Sequence, residues 1–477
     1  MASIEQPAAA FSPSASLVGF NFRIPVLLPI LISALVVRLL LASLPGFGVD
    51  LGTFQAWSQR LATDGPWDFY RPNEFTDYAP GYMYVLWVIG ELNDILHFNQ
   101  DQWQYILKLP AIIADMASVY LVYRILDKES PGRQLTATLI YAFFPPALLV
   151  GAFWGQVDSI LAFFLLYTVY FLARDRPVAA SVAYTVGFLV KPQSIATLPF
   201  LAFWIMRNYA PKFDGWTPRE TPRVWIMCTL VPLGVMLVLI TPFFEYQPWK
   251  FIDVLRESAN TCNYRVNSFW AYNFWNTGGL FDMGFKPDTT HACGGTAVQA
   301  TTFMGVSTQV WGWFLFGSAI IAILYLLRNA RSAGLLALGT GLSMMAFYLF
   351  LTRMHERYVF GAYLPLLVAC ALLHSRVLWG LFAATVAVHF ANLYHVFGYY
   401  YLFSGTERER FPDWTRWPDF YNWLDRPHNI PILSRFSFIG APEAIQILSV
   451  IFVTAFVGFL VYLLYVDVRQ KPPPEAA

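Results

Sequence analysis

Asp50, Asp158, Lys191 and the run Arg353, His355, Glu356, Arg357 are side chains whose types and surroundings suit chemistry. Each stands where an apolar stretch ends: GFGVDLGTF, FWGQVDSI, FLVKPQSIA and FLTRMHERYVF. A carboxylate at such a boundary either caps a helix N-terminus, where the dipole favours negative charge, or accepts a proton from an attacking nucleophile. Both readings stand for Asp50 and for Asp158. Gly155 permits a tight turn ahead of Asp158, and Gln156 brings both donor and acceptor groups. Pro192 stops regular helix after Lys191, whose ammonium either snorkels to headgroups or binds an anion. Two arginines, a histidine and a glutamate within five residues are costly beside hydrocarbon. They form either a functional site or an ion-pair cluster under the outer loops. Arginine forks suit phosphate oxygens, and Glu356 is placed to hold one of them.

The elements that must position these groups are membrane spans. Of 477 residues 57% are hydrophobic, 18% aromatic and only 13% charged, about half the charge of an average soluble chain. Mean hydropathy is +0.48, which a single soluble core of this length does not sustain. Thirty-one basic against 30 acidic residues give a net charge of +1, so there is no basic field for nucleic acid. Four cysteines (Cys228, Cys262, Cys293, Cys370) show no CxxC spacing, and no metal site is expected from them.

Residues 24–44 form a first apolar run long enough to cross and read as a retained signal anchor. Further candidates are 105–126, 134–152, 158–173, 177–190, 194–206, 223–243, 308–327, 333–351, 359–374, 377–400 and 444–465. Stretch 81–97 is placed at the interface: if it does not span, the short basic connectors (Arg124/Lys128/Arg133, Arg174/Arg176, Arg207 to Arg223, Arg328/Arg331, Arg376, Arg469/Lys471) all share the side of the N-terminus. Its stripe Val85, Ile89, Leu92, Leu96, with Glu91, Asn93 and Asp94 off it, supports that; separately, Phe54, Trp57 and Leu61 on one face read as a second interfacial helix. The pair 177–190/194–206 is too short for two full crossings and reads as a kinked hairpin with Lys191 at its tip. The fold class is therefore an all-α polytopic membrane protein of about 12 transmembrane helices, with both termini cytoplasmic. Residues 1–20 are a disordered tail, 21–360 a catalytic membrane module with outer loops 45–104 and 244–306, 361–466 C-terminal helices bearing outer loop 401–440, and 467–477 a second tail. Lys108 and Asp115, seven apart on one helix face, read as a packing pair or rim contact, and Arg38 as a helix-contact residue. If the large outer loop faces an oxidising compartment, Cys262 and Cys293 pair; Cys228 and Cys370 are inert packing residues.

An Asp just after the first span, flat helices in the first loop, WGQxD, KPQ, an Asn-aromatic loop and a His-Glu-basic turn follow one another in this order. The sequence resembles the GT-C class of polytopic glycosyltransferases, and within it the dolichyl-phosphate-glucose-dependent glucosyltransferases and related bacterial membrane transferases. Asp50-Leu51 stands where those enzymes have Asp-Tyr, His355-Glu356-Arg357 looks like their His-Glu-Lys turn, and Ser268–Gly279 resembles the Asn-x-x-Asn-x-Trp loop, with Asn273 and Trp275 matching. Leu51 and Arg357 depart from that pattern and leave the sugar and acceptor open.

The resemblance implies a polyprenyl-phosphate-sugar donor, and the residues suit it. A departing lipid phosphate needs no proton, so one carboxylate is sufficient. Asp50 is the expected base, with inversion at the sugar. Arg353, Arg357 and Lys191 are expected to hold the phosphate, with His355 as a hydrogen-bond donor. Asp158, Gln156, Glu356, Gln193 and Asn273 are expected to orient sugar or acceptor. A divalent metal bridging Asp50 and Asp158 is the other arrangement; the arginines make it unnecessary, and no cofactor is expected. With no room for a large soluble domain, the acceptor is expected to be a glycolipid or lipid-linked glycan, met on the non-cytoplasmic face of a bacterial plasma membrane or endoplasmic reticulum. The rival reading is a polyprenyl-lipid flippase or secondary transporter. Such proteins place charges near the midplane and carry inverted repeats; here the charges collect at one face and no repeat appears.

Overall fold

The computed structural model describes residues 24–71, 74–211, 213–214, 217–218, 222–245, 247–259, 265–293, 296–397 and 437–470. The tail 1–20, most of loop 401–440 and the expected Cys262–Cys293 pairing lie outside the described residues.

Sixteen α-helices are described: α1 (Ile24–Ala42), α2 (Gly48–Asp64), α3 (Pro80–Leu96), α4 (Gln100–Ile125), α5 (Pro131–Ala142), α6 (Pro145–Ala147), α7 (Asp158–Ala173), α8 (Pro177–Val190), α9 (Leu198–Asn208), α10 (Arg223–Ile240), α11 (Phe251–Ala259), α12 (Thr308–Leu326), α13 (Ala333–Phe350), α14 (Tyr363–Leu373), α15 (Arg376–Leu393) and α16 (Pro442–Gln470). A helix occupies each of the apolar stretches singled out above. Seven of the described helical segments are long and apolar enough to cross a membrane, the second of them running Pro131–Trp154 through α5 and α6. Four more, Val26–Ala42, Asp158–Ala173, Pro177–Val190 and Phe360–Leu373, are apolar but shorter. This is an all-α, multi-pass membrane protein. Among the described residues, strands are two- or three-residue pieces in the connections between helices.

Proline sets several boundaries. Pro145 and Pro146 end α5, because they lack the N–H that would continue it. The chain then passes through a π-helical segment, Leu148–Trp154, which leads to the Trp154–Asp158 turn. Pro192 ends α8 at Lys191, and a 3₁₀ segment, Pro192–Thr197, leads into α9, giving the kinked hairpin expected there.

The first outer loop differs from its reading. Phe54, Trp57 and Leu61 of α2 do not meet lipid; they are buried with Phe69, Tyr78, Tyr82, Met83 and Leu86 in a core between α2 and α3. Helical periodicity marks an apolar face but not what covers it. On α3 the exposed apolar stripe is Val88, Leu92, Ile95 and Leu96, while Ile89 is buried.

Within the bundle the ion pairs also rearrange. Asp115 accepts from Arg38 Nε at 3.1 Å and from the Tyr141 hydroxyl at 2.9 Å, and Arg38 also donates to the carbonyls of Ala142 and Ala34. Lys108 is no partner of Asp115. Its Nζ donates to the Ala42 and Leu44 carbonyls at 3.1 and 2.5 Å, satisfying acceptors that the end of α1 leaves open. Seven-residue spacing puts Lys108 and Asp115 on one face but about 10 Å apart along the axis, and each finds nearer groups.

Arg38 and Asp115 are both wholly buried, so removing one partner strands a charge in a low-dielectric interior. Arg38→Met is expected to cost about 3–5 kcal/mol, read as a lowered Tm in detergent. Arg38→Met with Asp115→Asn should recover part of that loss.

Candidate active site

Four connections meet at one end of the bundle. They are the turn from α1 into α2, the turn Trp154–Asp158, the tip of the α8/α9 hairpin, and the segment after α13. Phe47 N–H donates to the Trp154 carbonyl at 2.9 Å, joining the first two. The approach depends on two glycines. A Cβ on Gly155, at φ +95°, would stand 2.6 Å from Leu51 Cδ2, and one on Gly46 would stand 2.7 Å from the Trp154 carbonyl oxygen.

Asp50 lies in the first turn of α2, half-buried. Its Oδ2 accepts the Trp154 indole N–H at 2.8 Å, which aims the carboxylate toward the Trp154–Asp158 turn. No side-chain capping bond is made at the start of α2. Beyond it, Tyr78 hydroxyl donates to Gln156 Oε1 at 3.1 Å. Buried Lys191 donates to Asp158 Oδ1 at 2.7 Å and stands 5.7 Å from the ring centres of both Tyr78 and Tyr358. Arg357 NH1 donates to Glu356 Oε1 at 2.8 Å, and its guanidinium lies 5.6 Å from the Trp154 ring centre. Three polar atoms of this cluster are buried without a partner among the described residues: Arg357 Nε, Asp158 Oδ2 and Gln193 Oε1. Buried polar groups in native proteins are almost always hydrogen-bonded, so these three atoms have hydrogen-bonding capacity to offer a ligand or water.

The electrostatics agree. Burial opposes charge on Arg357, but Asp50 and Glu356 outweigh it and hold the guanidinium firmly protonated. Burial lowers Lys191, with Asp158 pulling the other way and Arg357 adding to the drop. Burial raises Glu356 against the pull of Arg357. His355 is kept neutral by burial, then by Arg357 and Lys191. Asp77, a residue that pattern alone did not single out, is pushed up to about 6 by burial and by the neighbouring Asp50, against Arg357 and Lys191. A carboxyl group tuned close to neutrality beside a second one suits proton transfer.

Of the expected site residues, Asp50, Gln156, Asp158, Lys191, Glu356 and Arg357 come together, and Gln193 follows Lys191 in the adjoining 3₁₀ segment. His355 sits beside them, its ring 4.7 Å from that of Phe269 and 5.0 Å from that of Tyr358, in a short parallel pairing of Met354–His355 with Ser268–Phe269. Two residues are placed differently. Arg353, expected on phosphate, forks onto fully buried Asp288 with Nε at 2.7 Å and NH2 at 3.3 Å, and Thr352 donates to the same carboxylate at 2.7 Å. The outer loop outcompetes solvent for this arginine by offering a desolvated carboxylate in bidentate reach. Asn273, expected to orient sugar, is buried and turned to backbone: its Oδ1 accepts from Trp275 N–H at 3.2 Å and its amide donates to the Tyr348 carbonyl at 3.4 Å. It braces the loop against α13. A bridging metal would compete at Asp158 with the Lys191 ammonium already on Oδ1, and at Asp50 with the Trp154 indole on Oδ2.

A multi-pass helical bundle that gathers carboxylates, an arginine and a lysine at one membrane face is laid out as a membrane-embedded site for an anionic ligand. The family model of the ALG6, ALG8 glycosyltransferase family matches residues 76–397, more than half of the chain, and the chain belongs to that family. The match opens at Thr76, next to Asp77, and takes in every residue of the cluster except Asp50. A dolichyl pyrophosphate Glc1Man9GlcNAc2 alpha-1,3-glucosyltransferase of Arabidopsis thaliana is 22% identical over 231 residues, 46% of this chain and 44% of its own. The chain thus spans less than half the length of that relative. Among solved structures, ArnT from Cupriavidus metallidurans superposes with a TM-score of 0.48 in its apo state, at 15% identity over 92% of this chain and 76% of that one. Its undecaprenyl-phosphate-bound form gives 0.47 at 17% identity, over 94% and 81%.

Gly155→Ala introduces a Cβ into the contact with Leu51 at a backbone angle that side chains avoid. It is expected to cost about 1–3 kcal/mol and to displace Trp154 from Asp50. The check is a lowered Tm together with loss of the Trp154 fluorescence contribution seen by comparison with Trp154→Phe.

Proposed function

We propose that this chain is an inverting hexosyltransferase. It takes a hexose from a polyprenyl-phosphate carrier and delivers it to a hydroxyl of a lipid-linked glycan or glycolipid on the non-cytoplasmic face. The observation that carries this reading is the juxtaposition of Asp50 and Asp77 with Arg357, whose Nε is an unfilled donor. Family membership and the name of the Arabidopsis relative favour glucose as the hexose.

In the proposed step an acceptor oxygen attacks the anomeric carbon from the side opposite the phosphate. The new bond forms between acceptor oxygen and anomeric carbon while the bond from that carbon to the phosphate oxygen breaks. Asp50 takes the hydroxyl proton, and neighbouring Asp77 shares it. The leaving group departs as the lipid phosphate, and negative charge grows on its oxygens. Arg357 Nε and the Lys191 ammonium stabilise that charge from fixed positions in a site of low dielectric. Glu356 fixes Arg357, neutral His355 supplies a hydrogen bond, and Asp158, Gln156 and Gln193 orient hydroxyls. Arg353 holds the outer loop. No metal is required by this scheme, since two protein cations already face the phosphate.

Asp50→Asn should lower kcat by roughly 10²–10⁴-fold with folding intact, measured as transfer of radiolabel from polyprenyl-phosphate-glucose or polyprenyl-phosphate-mannose into a lipid extract, with and without EDTA. Label movement with wild type and not the variant supports the reading and names the sugar. Bound label that never transfers, but crosses the bilayer, would sink it in favour of a flippase. Loss of activity in EDTA would overturn the metal-free scheme.

Because Asp77 carries its proton below about pH 6 and is ionised above, wild-type kcat should fall as pH drops through that value. Asp77→Asn should remove this acid limb while leaving a lower, flatter profile.

A further inference from the structure

At the opposite end of the same helices lies a second cavity, largely apolar but rimmed by basic side chains, that the transfer reaction does not use. Ser130, Arg133, Thr136, His374, Arg376 and Trp379 help line a cavity of about 450 Å³, between the start of α5 and the turn joining α14 to α15. The helical segment Pro131–Trp154 that begins here ends at the active-site tryptophan, and α14 begins just after Arg357 and ends here. The cavity therefore opens on the face away from the catalytic cluster, where the short basic connectors also gather.

The chemistry of its rim is cationic with polar donors. Glu129 pairs with His374 at 2.7 Å and with Arg133 at 3.2 Å, so one carboxylate is shared by two groups. Among the described residues no carboxylate pairs with Arg376. The Ser130 hydroxyl precedes α5 without capping it. Below the cavity the surface changes to hydrocarbon: Leu139 and Phe143, about one and two turns down from Thr136, are exposed, as is Val377 beside Arg376. Residues three and four apart lie over one another on a helix, so Thr136, Leu139 and Phe143 make an apolar track leading from the cavity to bilayer depth. Trp379, half-buried at the rim, is a residue type that settles at the headgroup level.

We propose that this cavity binds the headgroup of an anionic glycerophospholipid of the adjacent leaflet. Its phosphate lies between Arg133 and Arg376, with Ser130 and Thr136 donating to its oxygens and the acyl chains along Leu139 and Phe143. Free phosphate would use the arginines but leave the apolar track uncovered. A positive site of this kind between helices is how membrane proteins select anionic lipids.

The full chain, purified in neutral detergent, is titrated with phosphatidylglycerol, phosphatidylcholine or inorganic phosphate, and retained lipid and Tm are read by native mass spectrometry and thermal unfolding. Phosphatidylglycerol alone should be retained and raise Tm. Arg133→Gln with Arg376→Gln should weaken its binding about 30-fold, while Arg176→Gln, an exposed arginine of another connector, should not. Thr136→Trp, which fills the cavity and leaves the arginines in place, should also abolish retention, and keeps the test decisive where the double variant fails to fold. Equal retention of both lipids, unchanged retention in the filled variant, or an equal Tm rise with inorganic phosphate would overturn the proposal. None of these readouts requires glycosyl transfer, so their failure is separate from failure of the proposed activity.

Discussion

Arg357 is buried within the electrostatic reach of several carboxyl groups and donates to one of them, Glu356, at 2.8 Å. Asp50, Asp77, Asp158 and Glu356 all fall within its electrostatic reach or that of Lys191. Four acids face two cations in a site largely withdrawn from water. Burial, aided by Asp50, raises Asp77 and Glu356 against the pull of Arg357, while Arg357 keeps its charge. The bundle has to bring five separate stretches of chain to this place, and their conformations follow from it: the π-helical delivery of Trp154, the glycine contact at 155, the proline-broken hairpin at Lys191 and the buried turn at 355–358.

The same charge balance explains why the outer loops are so heavily braced. Asp288 ties down Arg353, and Asn273 fastens its loop to α13. The Tyr272 hydroxyl meets His395 Nδ1 at 2.9 Å and donates to the Ile439 carbonyl at 3.0 Å, while Asn392 accepts from Tyr272 N–H and Tyr348 hydroxyl at 3.1 and 2.9 Å. These contacts lie beside the cluster and not in it. They hold the wall on which His355 and Arg357 stand, so that donors are fixed before charge develops, the condition under which electrostatic stabilisation is strongest.

Across the molecule, polar groups separate by depth. Around Arg357 and Asp158 they are left with unfilled hydrogen-bonding atoms. Deeper, the Arg38–Asp115–Tyr141 group ties three helices together with one guanidinium nitrogen still unpaired, and Lys108 closes the end of α1. At the far end, arginines sit at exposed helix starts. Intramembrane charge is expensive, and each of these placements offsets that cost differently: by a ligand, by a buried partner, or by contact with headgroups and water.

Hydrophobic run length was enough to locate the helices, because spanning a hydrocarbon layer imposes a length and composition that short-range sequence displays. Each of Asp50, Asp158, Lys191, Glu356 and Arg357 could also be singled out locally, because each stands where an apolar stretch ends. What tertiary structure alone decided is partnership. Asp77 sits in an aperiodic stretch, FTDYAP, and joins Asp50 only because α2 and α3 fold back on each other; the acid followed by an aromatic and a proline at a helix start was its one local signal. Asp288 and Asp115 claimed Arg353 and Arg38 from 65 and 77 residues away. Periodicity could name an apolar face on α2, and only packing could say that protein, not lipid, covers it. Local pattern records what each residue requires of its surroundings; which distant residue meets that requirement is settled when the chain closes on itself.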